Sequence, residues 1–148
     1  MFGQDSMLFQ TTIKIDKKNR ITIPSKTMVE QNDKLILVKK DTYISMYNIN
    51  VIENKINMLL KAKDKALFEG NKEFIEYLDN ELKNIAISIN NTVVADNQHR
   101  IILANDLKNE YNFNQEIYIQ GEINHINLFK DENEFIKYRN KIKEKRSI

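Results

Sequence analysis

The sequence contains no cysteine and no tryptophan, with one proline, three glycines and two histidines in 148 residues. Without cysteine there are no disulfides, no thiolate metal sites and no cysteine nucleophile. Gly3, Gly70 and Gly121 stand too far apart to build a phosphate loop or a dinucleotide fingerprint. His99 and His125 do not suffice for a histidine-rich metal centre within one chain. No stretch approaches the roughly 18 consecutive apolar residues of a membrane span. The N-terminal MFGQDSMLFQ has neither the basic start nor the apolar run of a secretion signal. Acidic residues are scattered along helical segments, and no paired acid–base constellation emerges. These absences predict a soluble, cytoplasmic protein that is not an enzyme, with no cofactor, no metal, no membrane partner and no small-molecule substrate.

What the chain does contain is 41% hydrophobic residues, too many for a wholly disordered chain, and an internal repeat. Residues 12–23 read TIKIDKKNRITI and residues 92–103 read TVVADNQHRIIL, offset by 80 positions. Asp16 and Arg20 match Asp96 and Arg100. Downstream, KLILVKKDTYISMYN (34–48) matches EIYIQGEINHINLFK (116–130) at an offset of 82. Ile13, Ile15, Ile21 and Ile23 alternate with polar residues, which predicts strands with one apolar face. Each unit is therefore expected to open with a hairpin. Asn19 and His99 would sit in the tight turns, where a left-handed backbone is needed.

A short helix is expected after each hairpin, capped by Ser25 in the first unit and Asn105 in the second, the latter with Leu107 and Tyr111 inward. Strands are expected at 34–40, 42–48, 116–121 and 125–129. Between the units lies a helical insert. Its first helix opens on a capping box of Asn50 and Glu53, with a stripe of Ile49, Ile52, Ile56, Leu59 and Leu60. After Gly70, a second helix runs from about Asn71 to Ile87, with Phe74, Ile75, Leu78, Leu82 and Ile85 inward. A third begins at Asp131, with a stripe of Phe135, Tyr138 and Ile142. The fold class is α+β. The divisions are 8–60 (first unit with its following helix), 61–91 (helical insert) and 92–148 (second unit with the C-terminal helix).

Two Asp-x-x-x-Arg motifs between alternating strands, at this spacing, resemble the signature of the MraZ family, whose chains carry two SpoVT–AbrB-type units. In that family a Gly often precedes the Arg and a Pro follows it. Here the Gly positions hold Asn19 and His99, and the second Pro position holds Ala104. The resemblance implies a swapped-hairpin β-barrel, a ring-shaped homo-oligomer and a nucleoid-associated transcriptional regulator that binds repeats in promoter double-stranded DNA. The alternative is an AbrB-type protein-interaction module, antitoxin-like or a scaffold, with little specific DNA binding.

Charge adds an asymmetry. Residues 12–41 hold eight basic and four acidic side chains, a net of +4, and residues 92–122 hold two basic and five acidic, a net of −3. DNA affinity depends on neutralising phosphates, so the first unit is expected to carry the contact and the second to complete the assembly. Arg20 is the expected base reader, because a guanidinium can bind guanine bidentately. Lys17 and Lys18 are the expected phosphate contacts. Lys14, Asn19, Lys26, His99 and Arg100 complete the candidate DNA-binding set. Asp16 and Asp96 are expected to shape the turns and orient the arginines. His125 is expected to be structural, and the basic run Lys137–Arg146 to be a solvated helix face.

Overall fold

The computed structural model describes residues 8–24 and 31–146. Ser25 and Lys26 lie outside the described residues. The chain is α+β, with a mostly antiparallel sheet and four helices among the described residues. In order the elements are β1 (Gln10–Lys14), β2 (Arg20–Thr22), β3 (Lys34–Lys39), β4 (Tyr43–Asn48), α1 (Ile49–Glu69), α2 (Lys72–Ser88), β5 (Ile89–Val94), β6 (Arg100–Ile102), α3 (Asn105–Glu110), β7 (Glu116–Gly121), β8 (His125–Phe129) and α4 (Glu132–Arg146).

The strands form a six-stranded sheet in the order β1-β7-β8-β4-β3-β5 and a separate two-stranded ribbon of β2 and β6. Exchanging the two units reverses the sheet order onto itself, so the repeat is a pseudo-two-fold. The registers locate its axis. In the ribbon Ile21 pairs with Ile101, its own repeat equivalent at offset 80. In the sheet Ser45 pairs with Asn127, its equivalent at offset 82.

The expected hairpins are replaced by pairing between units. β1 pairs with β7, β5 with β3 and β2 with β6. Only the turn itself closes locally: the Asp16 N–H donates to the Arg20 carbonyl at 3.0 Å, and the Asp96 N–H to the Arg100 carbonyl at 3.0 Å. Alternation fixes which face of a strand is apolar, but it does not name the partner strand. Nor do the ladders close into a barrel among the described residues, because β1 and β5 each pair on one side only.

Burial follows the period of two and makes three layers. On the inner face of the sheet, Leu35, Leu37, Ile44, Met46, Ile117, Ile119, Ile126 and Leu128 pack against Ile21, Ile23, Ile101 and Leu103 of the ribbon segments, joined by Leu107 of α3. The outer face is covered by helices. Ile36 and Val38 meet Ile52 of α1, with Ile85 of α2 beside them. Tyr118 and Phe129 meet Phe135 of α4. The ribbon and the long helices are therefore on opposite sides of the sheet.

Helix boundaries correct several expectations. The α1 cap is Asn48, whose side chain accepts the Asn50 N–H at 3.0 Å, in place of a box built on Asn50 and Glu53. α3 begins one residue earlier than expected, with Ala104 at the cap position and Asn105 already helical. α4 starts as expected, with the Asp131 carboxylate accepting the Glu134 N–H at 3.0 Å. Gly70 ends α1 in the left-handed conformation, φ 68°. Phe74, Leu60 and Ile142, expected inward, are exposed. Past its base on the sheet, the α1–α2 hairpin packs on itself among the described residues.

Candidate functional site

The ribbon carries the two signature arginines. Ile21 and Ile101 face the core, so alternation turns Arg20, Thr22, Arg100 and Ile102 to the opposite face. Arg20 stands opposite Ile102, and Arg100 opposite Thr22. From strand rise and strand spacing, the two arginine Cα atoms lie about 8 Å apart on the diagonal. The outward face is thus a small patch of two arginines, one threonine and one isoleucine.

Each arginine is held by its aspartate in the same way. Asp16 Oδ1 accepts the backbone N–H groups of Lys18 and Arg20, both at 2.9 Å, and Oδ2 accepts Arg20 Nε at 2.7 Å. Asp96 Oδ1 accepts from Gln98 at 2.8 Å and Arg100 at 2.9 Å, and Oδ2 accepts Arg100 Nε at 2.8 Å. The Arg20 backbone N–H, above all, holds the Asp16 carboxyl below the usual carboxylate range, and the Arg100 N–H does the same for Asp96. Each carboxylate therefore stays charged and orients its arginine through Nε. That contact uses one of the five N–H donors of a guanidinium. The arginine side chains are 27% and 24% exposed. In geometry the two motifs are equivalent.

Asn19 and His99 adopt the left-handed turn conformation, at φ 63° and 59°. Their carbonyls accept across the axis: Ile23 N–H donates to His99 and Leu103 N–H to Asn19, both at 2.8 Å. The two turns are thus locked to each other's strands. The Asn19 side chain is also engaged. Its Nδ2 donates to Asn105 Oδ1 and its Oδ1 accepts from Lys108 Nζ, both at 2.7 Å. These two contacts anchor the first turn to α3 and leave the amide its second N–H and one oxygen lone pair.

Lys17 and Lys18 are exposed on the first turn, where the second turn has Asn97 and Gln98. Lys14 is exposed on β1, directly opposite Glu116 of β7, and stands apart from the ribbon face. His125 lies on the helical side of the sheet. It stacks on Tyr47 at 4.6 Å, and burial lowers its pKa. No group of acidic, histidine or cysteine residues fit to hold a metal occurs among the described residues, and no helix there is long and apolar enough to cross a membrane.

Four residues of this region escape a reading of the motifs alone. Thr22 and Ile102 share the arginine face, and the strand alternation already carried that signal. Asn105 and Lys108 reach Asn19 across 86 and 89 positions, a contact with no local trace in the sequence.

Fold and site together define an α+β chain of two interlocked repeats presenting a two-arginine ribbon. Compared with family models and with curated proteins, the chain matches none.

Proposed function

We propose that the chain is a sequence-specific DNA-binding transcriptional regulator of the MraZ type, which reads promoter repeats as a homo-oligomeric ring at the nucleoid. The observation that carries this reading is the exposed ribbon face with Arg20 and Arg100 on one diagonal. A two-stranded ribbon fits the major groove of B-DNA, which is about 12 Å wide. Arginines about 8 Å apart span two to three base-pair steps of 3.4 Å. Thr22 and Ile102 add apolar contacts of the kind that meet a thymine methyl. Because the aspartate engages Nε, the terminal fork of each guanidinium can serve a guanine edge.

The exchange of strands between units supports the finer architecture, a swapped-hairpin AbrB-type core. β1 completes the second unit's sheet half and β5 the first's. Since the two motifs are geometrically alike, the reading extends to Arg100. Lys17 and Lys18 belong to the first unit alone, so that unit supplies more of the phosphate neutralisation.

The second reading is a protein-interaction module. It rests on the outer part of α1, where Met58 at mid-helix and Leu67 and Phe68 at the distal end are exposed, Phe68 to 93%. The two readings separate in one titration. Fluorescence anisotropy on the duplex upstream of the coding region, with a scrambled duplex beside it, is measured at two salt concentrations. The regulator binds the upstream duplex tightly, loses affinity steeply as salt rises, and loses the preference in Arg20→Ala. Weak and equal binding to both duplexes, or none, favours the interaction module.

A further inference from the structure

An open cleft of about 1520 Å³ runs from the first turn and α3 along β1 and β7 to the start of α4. Lys17 and Asn19 line it from the turn, and Asn105, Lys108 and Asn109 from α3. Two features of Lys108 set it apart. It belongs to the 92–122 stretch of net charge −3, yet it reaches the first unit's loop, where Nζ donates to Asn19 Oδ1 at 2.7 Å. It is also part-buried with no carboxylate in ion-pair distance among the described residues. Its partner is a neutral amide, and one N–H in use leaves an ammonium two donors. Nearby Asp16 is committed to Arg20 and to two backbone N–H groups. The other acids of the cleft stand at its far end: Glu116 on β7 directly opposite Lys14, and Asp131 and Glu132 at the start of α4, where Lys130 also lines the cleft.

We propose that this cleft seats the backbone of one DNA strand beside the ribbon, with Lys108 and Lys17 each taking a phosphate. Lys108 is the second unit's phosphate contact. Asn19 is its positioning residue, fixed by the left-handed turn and by Asn105. The two units then act on one stretch of DNA through a single turn: Arg20 on the base edges, and Lys17 and Lys108 on the phosphates next to them. The inference rests on the DNA-binding reading above.

The test is the slope of log affinity against log salt, measured by anisotropy on the upstream and scrambled duplexes. Wild type is compared with Lys108→Met, Lys108→Arg, Asn19→Ala and the double variant Asn19→Ala/Lys108→Met. Loss of one phosphate contact reduces the slope by about 0.9. The advantage of wild type over Lys108→Met therefore shrinks about 3.5-fold between 50 and 200 mM salt, alike on both duplexes. Lys108→Arg keeps the slope. Asn19→Ala weakens binding with the slope retained, and has no further effect once Lys108 is Met. Thermal unfolding of each variant checks that the fold persists. A wild-type slope in Lys108→Met overturns the inference and leaves the DNA reading standing. A wild type that binds neither duplex in a salt-dependent way overturns both.

Discussion

Ile21 and Ile101 are 0% and 1% exposed, and they face each other on the pseudo-two-fold axis. Replacing either with Ala removes three buried carbon groups. At about 0.8 kcal/mol per buried methylene this is roughly 2.4 kcal/mol of transfer free energy. The cavity left between the ribbon and the sheet adds to it, so each single variant should lose about 3 kcal/mol, within the usual 2–5 range. For a chain of this length that corresponds to a Tm lower by about 6–12 °C. The losses should be nearly equal, because the two side chains are equivalent across the axis. They should not add in the double variant, because the side chains share one site. Urea unfolding monitored by circular dichroism gives the numbers, with the m-value unchanged if only stability has moved. If Ile101→Ala stayed within 0.5 kcal/mol of wild type while Ile21→Ala lost several, the paired ribbon would not be the closed side of the core.

Three further outcomes are expected. Asn127 is fully buried, accepts from Ser45 Oγ at 2.6 Å, and donates to Gln120 and Glu122 at 2.9 Å. Asn127→Ala leaves these partners short of a bond and should lower stability by about 1–3 kcal/mol in chemical denaturation, whereas Ser45→Ala removes one hydroxyl and should lower it less. Gly70 has φ 68°, and a Cβ there would meet no atom within 4 Å, so Gly70→Ala tests backbone strain alone and should lose about 1 kcal/mol in the same assay. Asp16 and Asp96 have lowered pKa values in the fold. Their contribution is complete above the ordinary carboxylate pKa of about 3.9 and is lost as pH falls through the depressed folded values. Acid titration of stability should therefore be shallower in Asp16→Asn and Asp96→Asn than in wild type.

The strands were legible because both kinds of burial leave a plain pattern. The ribbon segments alternate, and β3 reads as a continuous apolar run because Leu35 and Leu37 face the ribbon while Ile36 and Val38 face α1. The repeat was legible from Asp16–Arg20 and Asp96–Arg100 together with the strands around them and the match of 34–48 to 116–130. Partner choice was not, since a pattern of period two leaves the same apolar face whether β2 joins β1 or β6. The α1 cap slipped by two residues because Asn48 and Asn50 can both accept an N–H, and the α3 cap slipped by one, to Ala104, which makes no side-chain cap bond. Phe74 looked buried by its spacing, but among the described residues no third layer covers the distal helices. At the site, the arginine–aspartate geometry followed from the motif. The anchoring of Asn19 by Asn105 and Lys108 required the chain to be folded.

The central claim is that the ribbon face reads DNA with both arginines. Its most direct measurement is the ratio of upstream to scrambled duplex affinity, at one fixed salt, for wild type, Arg20→Ala and Arg100→Ala. A bidentate guanine contact is worth about 1–3 kcal/mol of discrimination, or about 5- to 150-fold. Each variant should lose a factor in that range while its unfolding midpoint stays near that of wild type. A ratio preserved in either variant would contradict the account.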